Sequence, residues 1–406
     1  MLLQSELTEI LADQSAVWQL PTGFTKREWL KSFNPTGNHI EIISGVRRSG
    51  KSTLLKWLCQ QMGQTQKTVA LTFEDTRLYT FEISDFARLD KAIGAEIDVY
   101  FFDEIQNVPN WELNVRQLHD RGKKVFLSGS NATLLSKELG TRLTGRHILH
   151  TLYPLSFTEY IELNAIHAGQ KNVSDYLIEG GFPEFLLSNN VEVLQNLLKD
   201  IVMRDVAIRY GIKSLDLLMK LTVYLMSNTG KEITFNGLKK SFQVASANTI
   251  SDYIHWLSDT YIIQLLPKFS WSPKKVLVNP RKVYSIDTGL SKTNSLSFSQ
   301  DYGRLFENMV FLQLRRIGSD LYYFREKQEC DFVAIENGKC TLAMQACSIL
   351  TPENLGREVS GLLEALNYFN IPSGYIVTLD QADVLKQGGK TIEVIKASDW
   401  LRGGLR

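Results

Sequence analysis

The sequence predicts an α/β fold built on a parallel sheet, on three observations. Strand-like and helix-like patterns alternate through the first 160 residues, an apolar run from Ile40 to Ser44 leads straight into GVRRSGKS, and DVYFFDEIQ (98–106) sets two acids at the end of a second apolar run. Alternation of this kind gives parallel strands with helices on both faces. The strands are expected at Glu41 to Gly45, Thr68 to Glu74, Asp98 to Asp103, Val125 to Ser128 and His147 to Leu155.

Gly45 to Ser52 fits GxxxxGK[ST] between a strand and a leucine-bearing helix. A polyphosphate needs many backbone N–H donors at close range, and side chains block that approach, so glycines bracket the loop. Gly45, Arg47, Arg48, Ser49, Gly50, Lys51, Ser52 and Thr53 are therefore the expected nucleotide contacts, with Lys51 on the terminal phosphates and the Ser52 hydroxyl on magnesium. The taken-alone alternative is a turn with an exposed lysine at a helix start; the order strand, loop, helix argues against it. Asp103, at the mouth of its strand, is expected in the magnesium shell, and Glu104 is expected to orient and deprotonate the attacking water.

The run KVFLSGS (124–130) predicts a further buried strand beside the loop strand, where Ser128, Ser130 or Asn131 would sense the γ-phosphate or simply cap the next helix. One strand between loop and acids in sequence, and a glutamate after the aspartate, place the sheet in the additional-strand class of P-loop NTPases. No NKxD or TKxD stretch stands where guanine would be read, so ATP with Mg2+ is the expected ligand pair. In GTRLTGR (140–146), Arg142 and Arg146 are candidates to approach the γ-phosphate, within the chain or from a neighbour.

The chain has 406 residues, 44% hydrophobic and 22% charged, with a net charge of +1. That is enough for several domains, and it excludes a uniformly basic nucleic-acid coat. The apolar stretches are strand-sized, so no membrane contact is expected, and the start, with Glu6, Glu9 and Asp13, is unlike a signal peptide, which suggests a cytoplasmic protein. Cys59, Cys330, Cys340 and Cys347 show no metal-ligand spacing and are expected as reduced thiols; His147 and His150 are expected as strand residues.

Four segments follow from these patterns: 1–160, the ATPase sheet with an N-terminal extension; 161–227, a leucine-rich helical lid punctuated by GGFP (180–183); 228–295, a winged helix; and 296–406, an α/β domain. In the third segment Ile233 to Phe242 and Ala247 to Leu257 read as helices, and Tyr261 to Pro267 with Lys275 to Val278 as the wing strands. From Asn228 to Ser295, nine basic residues against four acidic ones make DNA a possible partner. In the fourth, GRLFENMVFLQLRR is an amphipathic helix with Glu307 and Asn308, followed by a hairpin with Asp331 and the strand TLAMQACS. The order resembles the PD-(D/E)xK nuclease fold, yet the ExK triplet reads Gln345, Ala346, Cys347. Loss of one anion from the metal site and one cation from the transition state predicts a scaffold without efficient cleavage.

With GVRRSGKSTLL, FFDEIQNVPNWE, FLSGSNATLLS, LTGR with LYPLSFTEY, GGFPEFL, RDVAIRYGI and DFVAIENGK in hand, the chain resembles a bacterial and archaeal family of AAA-type P-loop ATP-binding proteins. These carry a C-terminal domain of unknown function of PD-(D/E)xK nuclease-like type. The resemblance runs nearly the full length and implies the loop and the DEIQ acids as the nucleotide site. The function expected is an Mg2+-dependent ATPase acting as a molecular switch, coupled to DNA or to a protein partner or a second copy. The alternatives are an ATP-gated DNA-binding scaffold with incidental hydrolysis, and an ATP-dependent nuclease.

Overall fold

The computed structural model describes residues 2–404 apart from 22–23, 32, 34, 36, 95, 131–142, 144, 168–171, 297–301 and 319. The chain divides into two compact units, Met1–Tyr153 and Pro154–Arg406.

In the first unit, strands β1 (Ile40–Ser44), β2 (Thr68–Thr72), β3 (Val99–Asp103), β4 (Lys124–Gly129) and β5 (His147–Thr151) form one sheet in the order β2-β3-β4-β1-β5, every pairing parallel. All five strands fall where the sequence placed them, and β4 does lie beside the loop strand, standing between β1 and β3. Every residue of β1, β3 and β4 is buried, which is why these segments read as apolar runs without alternation. Successive side chains still divide between faces. Ile42, Phe102 and Leu127 join a core with Leu7 and Ile10 of α1 (Gln4–Val17), Phe86 and Leu89 of α3 (Phe86–Ile93) and Val115 and Leu118 of α4 (Trp111–Asp120). Ile43, Phe101 and Phe126 pack on Leu54, Leu55 and Leu58 of α2 (Lys51–Met62), with Phe101 stacked on Phe126 at 4.8 Å. Helices thus cover both faces, and the loop and acids are left at the strand ends.

The second unit opens with α5 (Phe157–His167), α6 (Val173–Glu179), α7 (Pro183–Ser188) and α8 (Val191–Asp200), then a π-helical stretch Ile201–Ile208 and α9 (Leu215–Ser227). The GGFP punctuation has a packing cause. Asp287 accepts from the Gly181 N–H at 2.6 Å, and a Cβ on Gly180 would stand 2.2 Å from Asp287 Oδ1. Asp287 also caps α13 (Thr288–Asn294) through Leu290 N–H at 2.8 Å. Its carboxyl is pushed up to about 6 by burial, against hydrogen bonds from three backbone N–H groups.

Next come β6 (Glu232–Ile233), α10 (Phe235–Ser241), α11 (Ala247–Asp259), β7 (Ile263–Pro267), α12 (Pro273–Val278) and β8 (Arg281–Ser285), the three strands pairing antiparallel in the order β6-β8-β7. The two helices and the strand ending at Pro267 match expectation. Lys275 to Val278 does not: it is helical, and the strand partner is β8 instead. Pro273 at the first helical turn presets a helical φ, which overrides the β-branched residues after it, and that stretch has little burial to reward a strand.

The C-terminal part runs α14 (Tyr302–Ile317), β9 (Asp320–Arg325), β10 (Glu329–Glu336), β11 (Lys339–Ala346), α15 (Pro352–Tyr368), β12 (Ser373–Thr378), β13 (Asp383–Gln387), β14 (Lys390–Lys396) and α16 (Ala397–Gly403). Its six strands order as β13-β14-β12-β11-β10-β9, with β11 parallel to β12. All four cysteines are free thiols. Among the described residues no helix is long and apolar enough to cross a membrane.

Candidate nucleotide site

The loop between β1 and α2 closes tightly because two positions admit only glycine. A Cβ on Gly45 would lie 2.2 Å from the Leu152 carbonyl oxygen, and Gly50, the N-cap of α2, has φ +97°. The helix N-terminus with its unpaired N–H groups is thereby aimed out of the loop. Lys51, buried, donates through Nζ to the carbonyls of Gly45 and Val46, each at 3.0 Å. The Ser49 hydroxyl is wholly buried and makes no hydrogen bond.

The acids meet the loop. Asp103 at the end of β3 accepts from the Ser128 hydroxyl, Thr72 Oγ1 lies 3.4 Å from its Oδ2, and the Ser52 hydroxyl is near enough to favour its ionised form. Burial and the neighbouring charge of Glu104 raise its carboxyl to about 6, against the hydroxyl bonds and the Lys51 charge, which favour ionisation. Glu104 follows in the left-handed region at φ 51°, a conformation that costs a non-glycine residue of order 1 kcal/mol and turns its side chain out of the strand. Its backbone N–H donates to Ser128 Oγ at 3.2 Å, and the Gln106 amide donates to its carboxylate.

The other expected contacts divide. Arg47 pairs with Glu74 at 3.6 Å, Arg48 is exposed at φ 62°, and Thr53 lies in the first turn of α2, half-buried. Ser130 is buried just beyond β4, but it is Ser128 that engages both acids. Asn131 and Arg142 lie outside the described residues. Arg146 is a correction: its carbonyl accepts from Ile40 N–H at 2.8 Å and its guanidinium lies 3.6 Å from Asp120. In a parallel sheet that is the end opposite the loop, a five-residue strand or roughly 15 Å away, so Arg146 does not reach this chain's own loop.

One residue went unread. Arg27 is buried and donates to the Ser49 carbonyl at 2.8 Å and to the Tyr153 carbonyl at 2.6 Å, bracing the loop from the N-terminal extension. No spacing ties residue 27 to a motif eighteen residues on.

The C-terminal positions form a second cluster. Gln345 accepts from Asp331 N–H at 2.6 Å and donates to Glu358 at 2.9 Å, so its amide is a structural bridge. Glu307 and Asp331 converge, yet what stands between them is the Lys282 ammonium, 2.8 Å from Glu307 and 3.0 Å from Asp331. Cys347 is largely buried, its thiol pushed up to about 11 chiefly by burial.

Comparison with known proteins agrees with the first site. A family model described as an AAA domain matches residues 37–161, and a model for a domain of unknown function matches 170–300. Residues 37–161, which carry the loop and the acids, are thus an AAA domain with a parallel sheet. An uncharacterized protein of Methanocaldococcus jannaschii is 33% identical over 356 residues, covering 81% of this chain and 79% of the relative. An uncharacterized protein of Haemophilus influenzae is 30% identical over 384 residues, covering 89% and 94%. The chain belongs to the family these two proteins represent. Among solved structures, the RuvB Holliday junction branch migration motor of Thermotoga maritima overlays with a TM-score of 0.31 at 17% identity, covering 65% of this chain and 88% of that one. AMPPCP-bound DnaA from Aquifex aeolicus overlays at 0.29 and 15%, covering 58% and 86%.

Proposed function

We propose that the chain is an Mg2+-dependent ATPase that works as a switch. The observation that carries this is the meeting of the two motifs at Asp103, which accepts from Ser128 and whose ionised form the nearby Ser52 hydroxyl and Lys51 charge favour. The residues fit the ligands: the glycines let the loop close tightly into the N-terminus of α2, the buried Ser49 hydroxyl lacks a partner, and the donors beside Asp103 are hard oxygens suited to Mg2+. Bound there by Ser52 and Asp103, Mg2+ would offset charge on the β- and γ-phosphates. Lys51 leaves its two carbonyls for the phosphates. Glu104, released from Gln106, accepts a proton from the attacking water. The test is calorimetric titration with ATP and Mg2+: binding is expected for the unaltered chain and none for Lys51→Ala, and a chain that ignores ATP ends the proposal.

The second unit is the proposed readout. The order β6, α10, α11, β7, α12, β8 with sheet order β6-β8-β7, led by α9, supports a winged helix over 228–295, and α14, β9, β10, β11, α15, β12 supports a nuclease-like scaffold after it. Nucleic-acid contact is favoured by the exposed Lys231, Lys240, Lys274 and Lys275, the last two on α12. The outward residues of α11, Asn248, Asp252 and His255, bring no lysine or arginine. A gel shift that weakens steeply with salt, and is lost in Lys274→Ala/Lys275→Ala, would support DNA as the partner; no shift at low salt would leave a protein.

A further inference from the structure

The C-terminal cluster poses a question of charge. Glu307 on α14, Glu329 and Asp331 on β10 turn carboxylates toward one point, and the Lys282 ammonium sits there, 2.8, 2.7 and 3.0 Å away. The lysine side chain is 3% exposed, the acids 15%, 26% and 12%. Lys282 belongs to none of these elements; it is the second residue of β8. Tyr284, two residues on and therefore on the same face, donates to Glu307 at 2.6 Å and stacks on Phe311 at 4.1 Å. Beside them the Asn308 amide takes both backbone groups of Ser285, accepting at 2.8 Å and donating at 3.1 Å. The helix surface of α14 is thus shaped to receive β8, with Glu307, Asn308 and Phe311 each matched.

We propose that Lys282 is the resident cation of this carboxylate cluster: its ammonium takes the place a divalent ion would occupy, keeps the adjoining cleft metal-free and fastens the three-stranded sheet to the C-terminal sheet. Three features point the same way. A divalent ion held by Glu307 and Asp331 would need the volume the ammonium fills, at hydrogen-bonding distance from both. Gln345, where a third ligand would stand, is committed to Asp331 N–H and Glu358. Asp331 Oδ2, the oxygen turned from the lysine, accepts from Ala346 N–H at 3.1 Å. A cleft of about 540 Å3 does open beside these groups, lined by Arg304, Arg325, Asn354 and Arg357 among others, so it is the lysine and not lack of access that excludes an ion.

The test is Mn2+ binding by the full chain without nucleotide. The unaltered chain is expected to bind no Mn2+ that depends on Asp331, while Lys282→Met, confirmed folded by its near-ultraviolet spectrum, gains one equivalent that Lys282→Met/Asp331→Asn loses. An Asp331-dependent ion in the unaltered chain, or a folded Lys282→Met that gains none, overturns the proposal. Should Lys282→Met fail to fold, amine-reactive labelling of the unaltered protein decides: Lys282 is expected to label at least about tenfold more slowly than exposed Lys274, with or without Mg2+. Labelling at equal rates overturns it.

Discussion

Two buried acid clusters in this chain are built from similar parts and reach opposite ends. At the loop, Asp103 is held by the hydroxyls of Ser128 and Thr72, with Lys51 turned to carbonyl oxygens. In the C-terminal part, Glu307 and Asp331 are held by an ammonium. Neutral partners orient a carboxylate without cancelling its charge, and that leaves at the first cluster the charge that the proposed Mg2+ would answer. The second carries its cation in the fold. Low-dielectric burial raises the energy of uncompensated charge in both, and the difference lies in where the compensation comes from. A site for exchangeable ligand and a fixed joint between elements are two outcomes of the same electrostatics.

The sharpest way to break the comparison is to remove chemistry from one cluster and cohesion from the other. Glu104→Gln is expected to keep ATP binding and to lower the steady-state rate of phosphate release by about 10²–10⁴-fold, the usual contribution of a positioned base; unchanged turnover would reassign the base. Lys282→Met is expected to leave ATP affinity alone and to destabilise the second unit by about 3–5 kcal/mol, because three acids lose their partner. Chemical denaturation reads that loss, and a change under about 1 kcal/mol would show the joint to be incidental.

A third test uses Asp287, a buried acid whose partners are backbone N–H groups. Its folded value of about 6 lies above the ordinary 3.8, so the proton is held more tightly by the folded chain. The sign follows: its favourable contribution is full below about pH 4 and lost as pH rises through about 6, a span of about 3 kcal/mol. The melting temperature of the unaltered chain minus that of Asp287→Asn should therefore be larger at pH 4.5 than at pH 7; an equal gap would mean no shift. The smallest effect is expected at Arg27. Arg27→Ala removes two charge-assisted bonds to loop carbonyls and should weaken ATP binding by about tenfold, seen in the same calorimetry.

Legibility along the chain followed the range of the interactions. The central strands β1, β3 and β4 were readable because burial on both faces leaves them as mainly apolar runs, and GVRRSGKS and DEIQ because a phosphate loop and its acids keep fixed local spacing. Lys275 to Val278 misled because a single proline outweighed four strand-compatible side chains. Arg146 misled because position along the chain says nothing about which end of a parallel sheet a residue occupies. In the C-terminal part Glu307, Asp331 and Gln345 were visible as polar positions, but the net basic count of the middle segment included Lys282, which the fold turns inward.

By itself the sequence determined the parallel sheet, the glycine-bracketed loop and the acids that face it, all set by contacts within a few residues or by burial. Only the tertiary structure decided that Arg27 braces the loop, that Ser128 and not Ser130 engages the acids, and that a lysine from β8 answers the carboxylates of α14 and β10. Those partners lie 22 to 49 residues apart in sequence, and no local pattern selects among distant side chains of equal charge; packing does.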